Sequence, residues 1–450
     1  MVAALLACLG TTAASAGGPE PAPKLLKDIR NPGSSDPIWL TRAGDEVFFA
    51  ANDGVNGAEL WATNGRGAGT RMVEDIYPGS TSSPAELVNV RGILFFAARG
   101  EEQRELWRSN GTAAGTRIVR DIRPDPGFTN GSNPEELTNV GGTLFFSADD
   151  GTNGVELWKS DGTEAGTKMV ENINPGAGDS DPFELTNVRG TLFFRADDGV
   201  HGEELWVSDG TRRGTKLVRD IYPGTEDGYP EYISSFDGKA FFGANDGVRG
   251  QELWRSNGTR RGTVFVKSIN PGPGDATPAD MEPMGRRLYF SAESDALGVE
   301  LWRTNGTRRG TELVKDVNPA PGGSAQVNFP TRAGRLIFFY ATDGTNGTEL
   351  WRTDGTRRGT RMTRNINPGS GNANPQELTP FGDALFFRAD DGAIGNELWR
   401  SNGTRRGTRL VEDINLGAGD SNPGFMERLG KLLIFRAIGT GGNEPWKLRP

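Results

Sequence analysis

Histidine and cysteine are almost missing: the 450 residues hold one of each, His201 and Cys8. A Ser-His-Asp triad, a Cys-His pair or a histidine-rich zinc site would each have to be built around that single histidine. It lies in a loop whose other copies carry Asn56, Asn153, Arg249 and Asn346 at the same place, which favours a solvated loop residue. One cysteine forms no disulfide within the chain, so stability has to come from packing. Basic residues are outnumbered by acidic ones, 50 to 59, and the net charge of −9 gives no support for nucleic-acid binding. No apolar run is long enough for a transmembrane segment.

The longest apolar stretch near the start, residues 2–9 (VAALLACL), has the length of a signal-peptide core, and Ala14-Ser15-Ala16 offers a small-residue cleavage site. An export signal is therefore expected over 1–16 and a linker over 17–23. No Lys or Arg follows Met1, which points to a leader that begins further upstream. Leu5-Leu6-Ala7-Cys8 also fits a lipobox, so a lipid anchor at Cys8 stands as a second reading. Both readings place the mature chain in a secreted, periplasmic or cell-surface location.

What the chain does have is glycine, 65 residues of it, with 27 prolines, a composition of many short strands and tight turns. It also has a period. Glu-Leu-Trp recurs with its tryptophan at Trp61, Trp107, Trp158, Trp206, Trp254, Trp302, Trp351 and Trp399, and a degenerate copy, Glu444-Pro445-Trp446, follows. Spacings of 46 to 51 residues suit a propeller blade. Only Trp39 stands outside the pattern.

One copy shows the unit. NPEELTNV (133–140) and TLFFSA (143–148) read as strands joined by Gly141-Gly142; VELWKS (155–160) and TKMVENI (167–173) read as strands joined by a turn that opens Asp161-Gly162-Thr163. The chain begins with a lone fourth strand, LLKDI (25–29), and ends with a third strand, NEPWKL (443–448). The two fragments complete each other. The expected fold class is all-β: over 24–450, a single closed β-propeller of nine four-stranded blades, with the N-terminal strand closing the last blade. A monomer is expected.

The unit ELWxSDGTxxGTxLVxDINPG, fully matched by Glu156-Leu157-Trp158-Lys159-Ser160-Asp161-Gly162-Thr163, resembles the bacterial ELWxxDGT-repeat proteins. The resemblance covers residues 25–449, departing at Asn110, Asn257, Asn305 and Asn402 (Asn for Asp) and at Arg66 (for Thr). It implies export and a repeat fold, and no particular activity.

Candidate chemistry sorts by loop. On one face the second-to-third loops carry Asp53, Asp150, Asp198, Asp246, Asp343 and Asp391 in Asp-Gly settings, and blade-to-blade loops add Asp179, Asp181, Asp275 and Asp420. Oxygens of this kind suit Ca2+, although no metal is required and the spacing matches no known calcium loop; turn formation explains the same residues. On the other face five successive third-to-fourth loops carry Arg212-Arg213, Arg260-Arg261, Arg308-Arg309, Arg357-Arg358 and Arg405-Arg406. Paired arginines suit carboxylate, sulfate or phosphate, so an anionic polysaccharide or a surface protein is the expected partner. The glutamate of each Glu-Leu-Trp is read as a blade joint hydrogen-bonded to a neighbouring blade's backbone or an arginine, and the tryptophans as filling between blades. Asn-Gly-Thr at Asn110, Asn257, Asn305, Asn346 and Asn402, and Asn-Gly-Ser at Asn130, match the glycosylation sequon, with turn formation the better account where they replace Asp-Gly.

The functional expectation is an exported, non-enzymatic binding scaffold for glycan binding or adhesion. The alternatives are a carboxylate-based glycan hydrolase in the central funnel, or a purely structural envelope protein.

Overall fold

In a computed structural model the described residues are 22–101, 103–124, 131–320 and 322–450. The expected export signal, Cys8, most of the linker and the Asn130 sequon lie outside them. Among the described residues the strands form nine four-stranded antiparallel sheets, and eight of these follow chain order. These are blades 1 to 9, numbered by their tryptophans from Trp61 to Trp446. In blade 3 the strands run Glu135–Val140, Thr143–Asp149, Val155–Ser160 and Lys168–Glu171, from the innermost outward.

The double phenylalanine of the second strand explains how blades stack. Successive side chains point to opposite faces, so Phe145 and Phe146 serve different interfaces. Phe146 joins Leu144 and Trp158 against Phe95, Leu106 and Val119 of blade 2. Phe145 joins Leu157 and Val170 against Leu192, Phe194 and Trp206 of blade 4. The tryptophan therefore does lie between blades, where it buries about 150–250 Å². Among the described residues six of the nine tryptophans also carry a cation over the ring, from the end of the preceding outer strand or just beyond it, as Arg120 does 5.8 Å from Trp158 and Lys315 does 5.3 Å from Trp351. The same cations donate to the next blade's backbone: Arg120 to the Thr167 carbonyl at 2.7 Å, Lys315 to that of Thr360 at 3.1 Å.

Ring closure follows the expected route with a shorter strand. Lys24–Leu25 pairs with the last strand, Leu25 opposite Trp446, and the Leu26 amide donates to the Pro445 carbonyl. Beyond it the chain leaves the sheet, and the amides of Ile29 and Arg30 turn to Glu444 at 3.0 and 3.4 Å.

Glu444 is one of nine equivalent clamps. Each glutamate of the Glu-Leu-Trp repeat is buried, and its partners differ from those expected. The donors belong to the connector that leads to the next blade, and among the described residues no arginine side chain donates to these carboxylates. Glu59 accepts from the Ile76 amide at 2.9 Å, the Ser82 amide at 2.9 Å and the Ser82 hydroxyl at 2.6 Å. Ser132, Ser180, Ser421 and Ser35 supply the hydroxyl to Glu105, Glu156, Glu397 and Glu444. Blades 4 to 7 have Gly228, Ala276, Ala325 and Ala373 instead. Burial pushes the carboxyls of Glu204, Glu252, Glu300 and Glu349 up to about 7, and that of Glu156 as far despite the Ser180 hydroxyl, against the pull of their amide donors and, at Glu252, of the Ser268 hydroxyl.

The Asp-Gly-Thr turn is equally repetitive. Asp161 accepts from the Thr163 amide and hydroxyl, while the Ser160 hydroxyl bonds Thr167 and receives the Gly162 amide. Gly162 has a φ of +88°, and an added Cβ would lie 3.0 Å from the Phe95 ring. Asn110, Asn257, Asn305 and Asn402 make the Asp161 bonds unchanged, so the hairpin accounts for these four sequon-like copies.

Two outcomes follow from the clamps. A carboxyl with a raised pKa keeps its proton in the folded chain where the unfolded chain has lost it, so its contribution is largest below about 4.5 and is lost as pH rises toward about 7. Ala325→Ser returns the hydroxyl beside Glu300. It should stabilise the protein at alkaline pH by about 1 kcal/mol in urea denaturation and flatten the loss of stability between mildly acidic and alkaline pH; identical midpoints at both ends would mean the hydroxyl does not reach the carboxylate. Glu444→Ala removes the acceptor for the amides of Ile29, Arg30 and Ser35 and should cost about 3 kcal/mol. Limited proteolysis should then nick residues 22–36 before global unfolding, a pattern that Glu300→Ala should not share.

Candidate functional site

The six aspartates considered as calcium ligands sit one to a blade, and each turns back on its own loop. Asp150 accepts from the amides of Thr152 and Asn153 and from the Asn153 side chain, all within 2.9 Å. Asp53 and Asp343 repeat this with Asn56 and Asn346. Asp246 is bonded by Arg249, Asp198 by the His201 ring at 2.8 Å, and Asp391 caps Ala393 and Ile394. Burial alone would raise Asp53, Asp198 and Asp343, yet these donors hold all three below the usual carboxylate value. The connector acids Asp179, Asp275 and Asp420 each accept the first amide of the neighbouring third strand at 2.7 Å. Among the described residues no three Asp, Glu, His or Cys side chains gather as a metal site. The structure therefore does not bring these aspartates together, and turn chemistry accounts for their bonds. His201 is a half-exposed loop residue whose pKa is raised by the bond to Asp198.

The arginine face is built differently. Arg212–Gly214, Arg260–Gly262 and Arg308–Gly310 are single 3-10 turns, each capped by the preceding threonine. Thr356 and Thr404 cap the turns of Arg357-Arg358 and Arg405-Arg406 in the same way. All ten arginines are exposed. Arg212 pairs with Glu171 at 2.9 Å; the other nine have no ion pair among the described residues. Blades 7 and 8 add like charges opposite one another, Arg352 with Arg361 and Arg400 with Arg409. Such pairs destabilise a sheet, and burial followed by the facing arginine holds Arg352 and Arg400 below the usual guanidinium value.

Two features escaped the sequence reading. Every inner strand slips register at a residue in left-handed conformation: Trp39 (φ 61°), Glu86, Glu136, Glu184, Tyr232, Asp280, Phe329, Glu377 and Phe425. Several of these acids tie neighbouring inner strands. Glu136 accepts the Leu185 amide at 3.2 Å, and Glu184, Asp280 and Glu377 accept those of Ile233, Phe329 and Phe425 at 3.1 Å. Trp39, outside the repeat, thus occupies the same place in blade 1.

The second feature is a cavity of about 780 Å³ among blades 2 to 4, on the face of the second-to-third loops. It holds Arg99, Arg104, Arg123 and Arg195 with Glu135, Asp149, Asp181 and Glu203. Arg123 bonds Asp149, and Arg195 reaches Glu203 at 3.4 Å and Glu231 at 3.2 Å. Partial desolvation at the cavity mouth raises the Asp181 carboxyl although its side chain is exposed, helped by Asp179, Asp197 and Glu135. The signal for this cavity lies in the repeat columns that vary, while the motif reading followed the columns that repeat.

No family model and no curated protein match the chain. Among solved structures it is similar to a computationally designed protein, Ika8 (14% identity, TM-score 0.44, 82% of this chain and 96% of that one). It is also similar to a puromycin hydrolase (14%, TM-score 0.40, 82% and 61%) and to a prolyl endopeptidase (11%, TM-score 0.43, 81% and 54%). The match spans less than two thirds of either enzyme, and these likenesses carry no argument about activity.

Calcium titrated into EDTA-treated protein should give no saturable heat and no rise in melting temperature. A rise would mean that the aspartates exchange their loop donors for the ion.

Proposed function

We propose that this chain is an exported, non-enzymatic binding propeller that engages an anionic polysaccharide through its arginine rim. The observation that carries the reading is the set of capped, exposed arginine turns in five successive blades, nine of whose ten side chains have no ion pair among the described residues. A planar guanidinium fork matches carboxylate or sulfate oxygens. A rigid turn presents that fork with little ordering left to do. One pair per blade gives equivalent sites along an arc, and a polymer that spans several gains avidity without new kinds of contact. The leader-like first residues and the likeness to exported ELWxxDGT-repeat proteins support a place outside the cytoplasm, where adhesion to a surface glycan is the matching role. The chain's net charge of −9 confines attraction to this rim and makes it sensitive to salt.

Immobilised dextran sulfate should capture the protein at low salt and release it at high salt, while uncharged dextran captures nothing. Replacing Arg405 and Arg406 by alanine should weaken binding several-fold, and extending the change to the pairs of blades 6 and 7 should weaken it by about 100-fold or more. Stability should stay within about 0.5 kcal/mol, because these side chains are exposed. Capture that survives loss of all five pairs would overturn the proposal.

A further inference from the structure

We infer that the cavity among blades 2 to 4 is a second binding site, on the face opposite the arginine rim, and that it takes a short uncharged saccharide. The inference does not rest on the rim. Its volume of about 780 Å³ falls in the range of about 300–1,000 Å³ usual for small-molecule pockets.

The lining is where the blades stop resembling each other. The place of Arg104 is held in other blades by Ala58, Val155, Gln251 or Thr348. That of Arg195 is held by Ala50, Ala97, Ser147, Gly243, Ser291 or Tyr340, and by arginine again only at Arg388 and Arg436 in blades 8 and 9. Clamp, tryptophan and turn repeat because the blade needs them; Arg104 and Arg195 lie outside that set, and their bonds run to the Ser83 and Ala97 carbonyls and to Glu203 and Glu231. Four arginines face four carboxylates here, two of the arginines already paired with lining acids, so the cavity has no net charge to attract an ion. It offers donors and acceptors in quantity, which suits a ligand edged with hydroxyls.

An apolar surface completes the match. Phe183 is 44% exposed with the Arg195 guanidinium 4.9 Å from its ring centre, and Tyr229, also 44% exposed, flanks the same guanidinium at 5.8 Å. A sugar has an apolar C–H face and a polar rim, the complement of an aromatic ring bordered by charged side chains. Asp181, exposed and in left-handed conformation (φ 44°), has no hydrogen bond or ion pair among the described residues and is free to accept from a hydroxyl.

The test is calorimetry of the whole chain with maltotriose, cellotriose and chitotriose, at about 50 mM and about 500 mM salt. At least one should bind with a Kd below about 1 mM, changed less than about twofold by salt. Phe183→Ala and Asp181→Asn should each weaken it about tenfold or more with unchanged melting temperature, since both side chains are exposed and asparagine tolerates the left-handed backbone. The Arg405→Ala, Arg406→Ala protein should bind like the parent. Failure of all three sugars, binding that survives both cavity substitutions, or binding that salt or the rim substitutions abolish would each overturn the inference.

Discussion

The buried carboxylate at the head of each third strand is the constraint from which the ring follows. A carboxylate removed from water must be given donors, and here they come from the connector that has just left the blade. By holding the amide of a residue such as Ile76 and, six positions on, the Ser82 amide and hydroxyl, Glu59 fixes both where the outer strand ends and where the next inner strand begins. The connector isoleucine is thereby set into the core between two blades, as Ile122 and Ile173 are. Nine repeats of one local decision set the angle between neighbours, and Glu444 makes the same decision on the other end of the chain. Closure needs no device of its own.

Most of this architecture was legible because the physics that builds it repeats. The spacing of Trp61 to Trp446, the Phe-Phe strands and the lone strand at the N-terminus led to nine blades and to an N-terminal strand closing the last one; the register, Leu25 opposite Trp446, came from the structure. The clamp itself was half legible. That Glu156 is buried and bonded could be read from its place beside a tryptophan; that it would bond Ile173 and Ser180 could not. Strand periodicity says which face a side chain takes and is silent on what a loop some 17 to 24 residues later brings to it. For the same reason the cations over the tryptophans were missed, since Arg120 and Trp158 meet only when two blades dock.

The candidate sites divide along the same line. The acids of the Asp-Gly loops were visible as a repeated pattern, and the repeat is the reason they serve the turn: each copy solves the same local problem of unpaired amides, with Asp150 and Asp343 making the same three bonds. The arginine pairs repeat too, yet no bond within the turn uses them, because threonine and the Asp or Asn before it already cap the backbone. A side chain that recurs with a structural partner is accounted for by the fold. Of the ten arginines only Arg212 has such a partner in an ion pair among the described residues, which is why the proposed function is placed on them.

Radius then separates the two proposed kinds of recognition. At the outer rim neighbouring blades are far apart relative to a side chain, so what one blade carries is presented again by the next, and the surface suits a ligand that itself repeats. Nearer the axis blades converge, and residues from three of them line one cavity. There a difference between copies is not averaged away but meets other differences, as Arg104 of blade 2, Glu135 of blade 3 and Arg195 of blade 4 do. A ring of near-identical units can therefore offer a multivalent edge and a single asymmetric pocket from one fold, provided the clamps, rings and turns that hold each blade are kept free of both tasks.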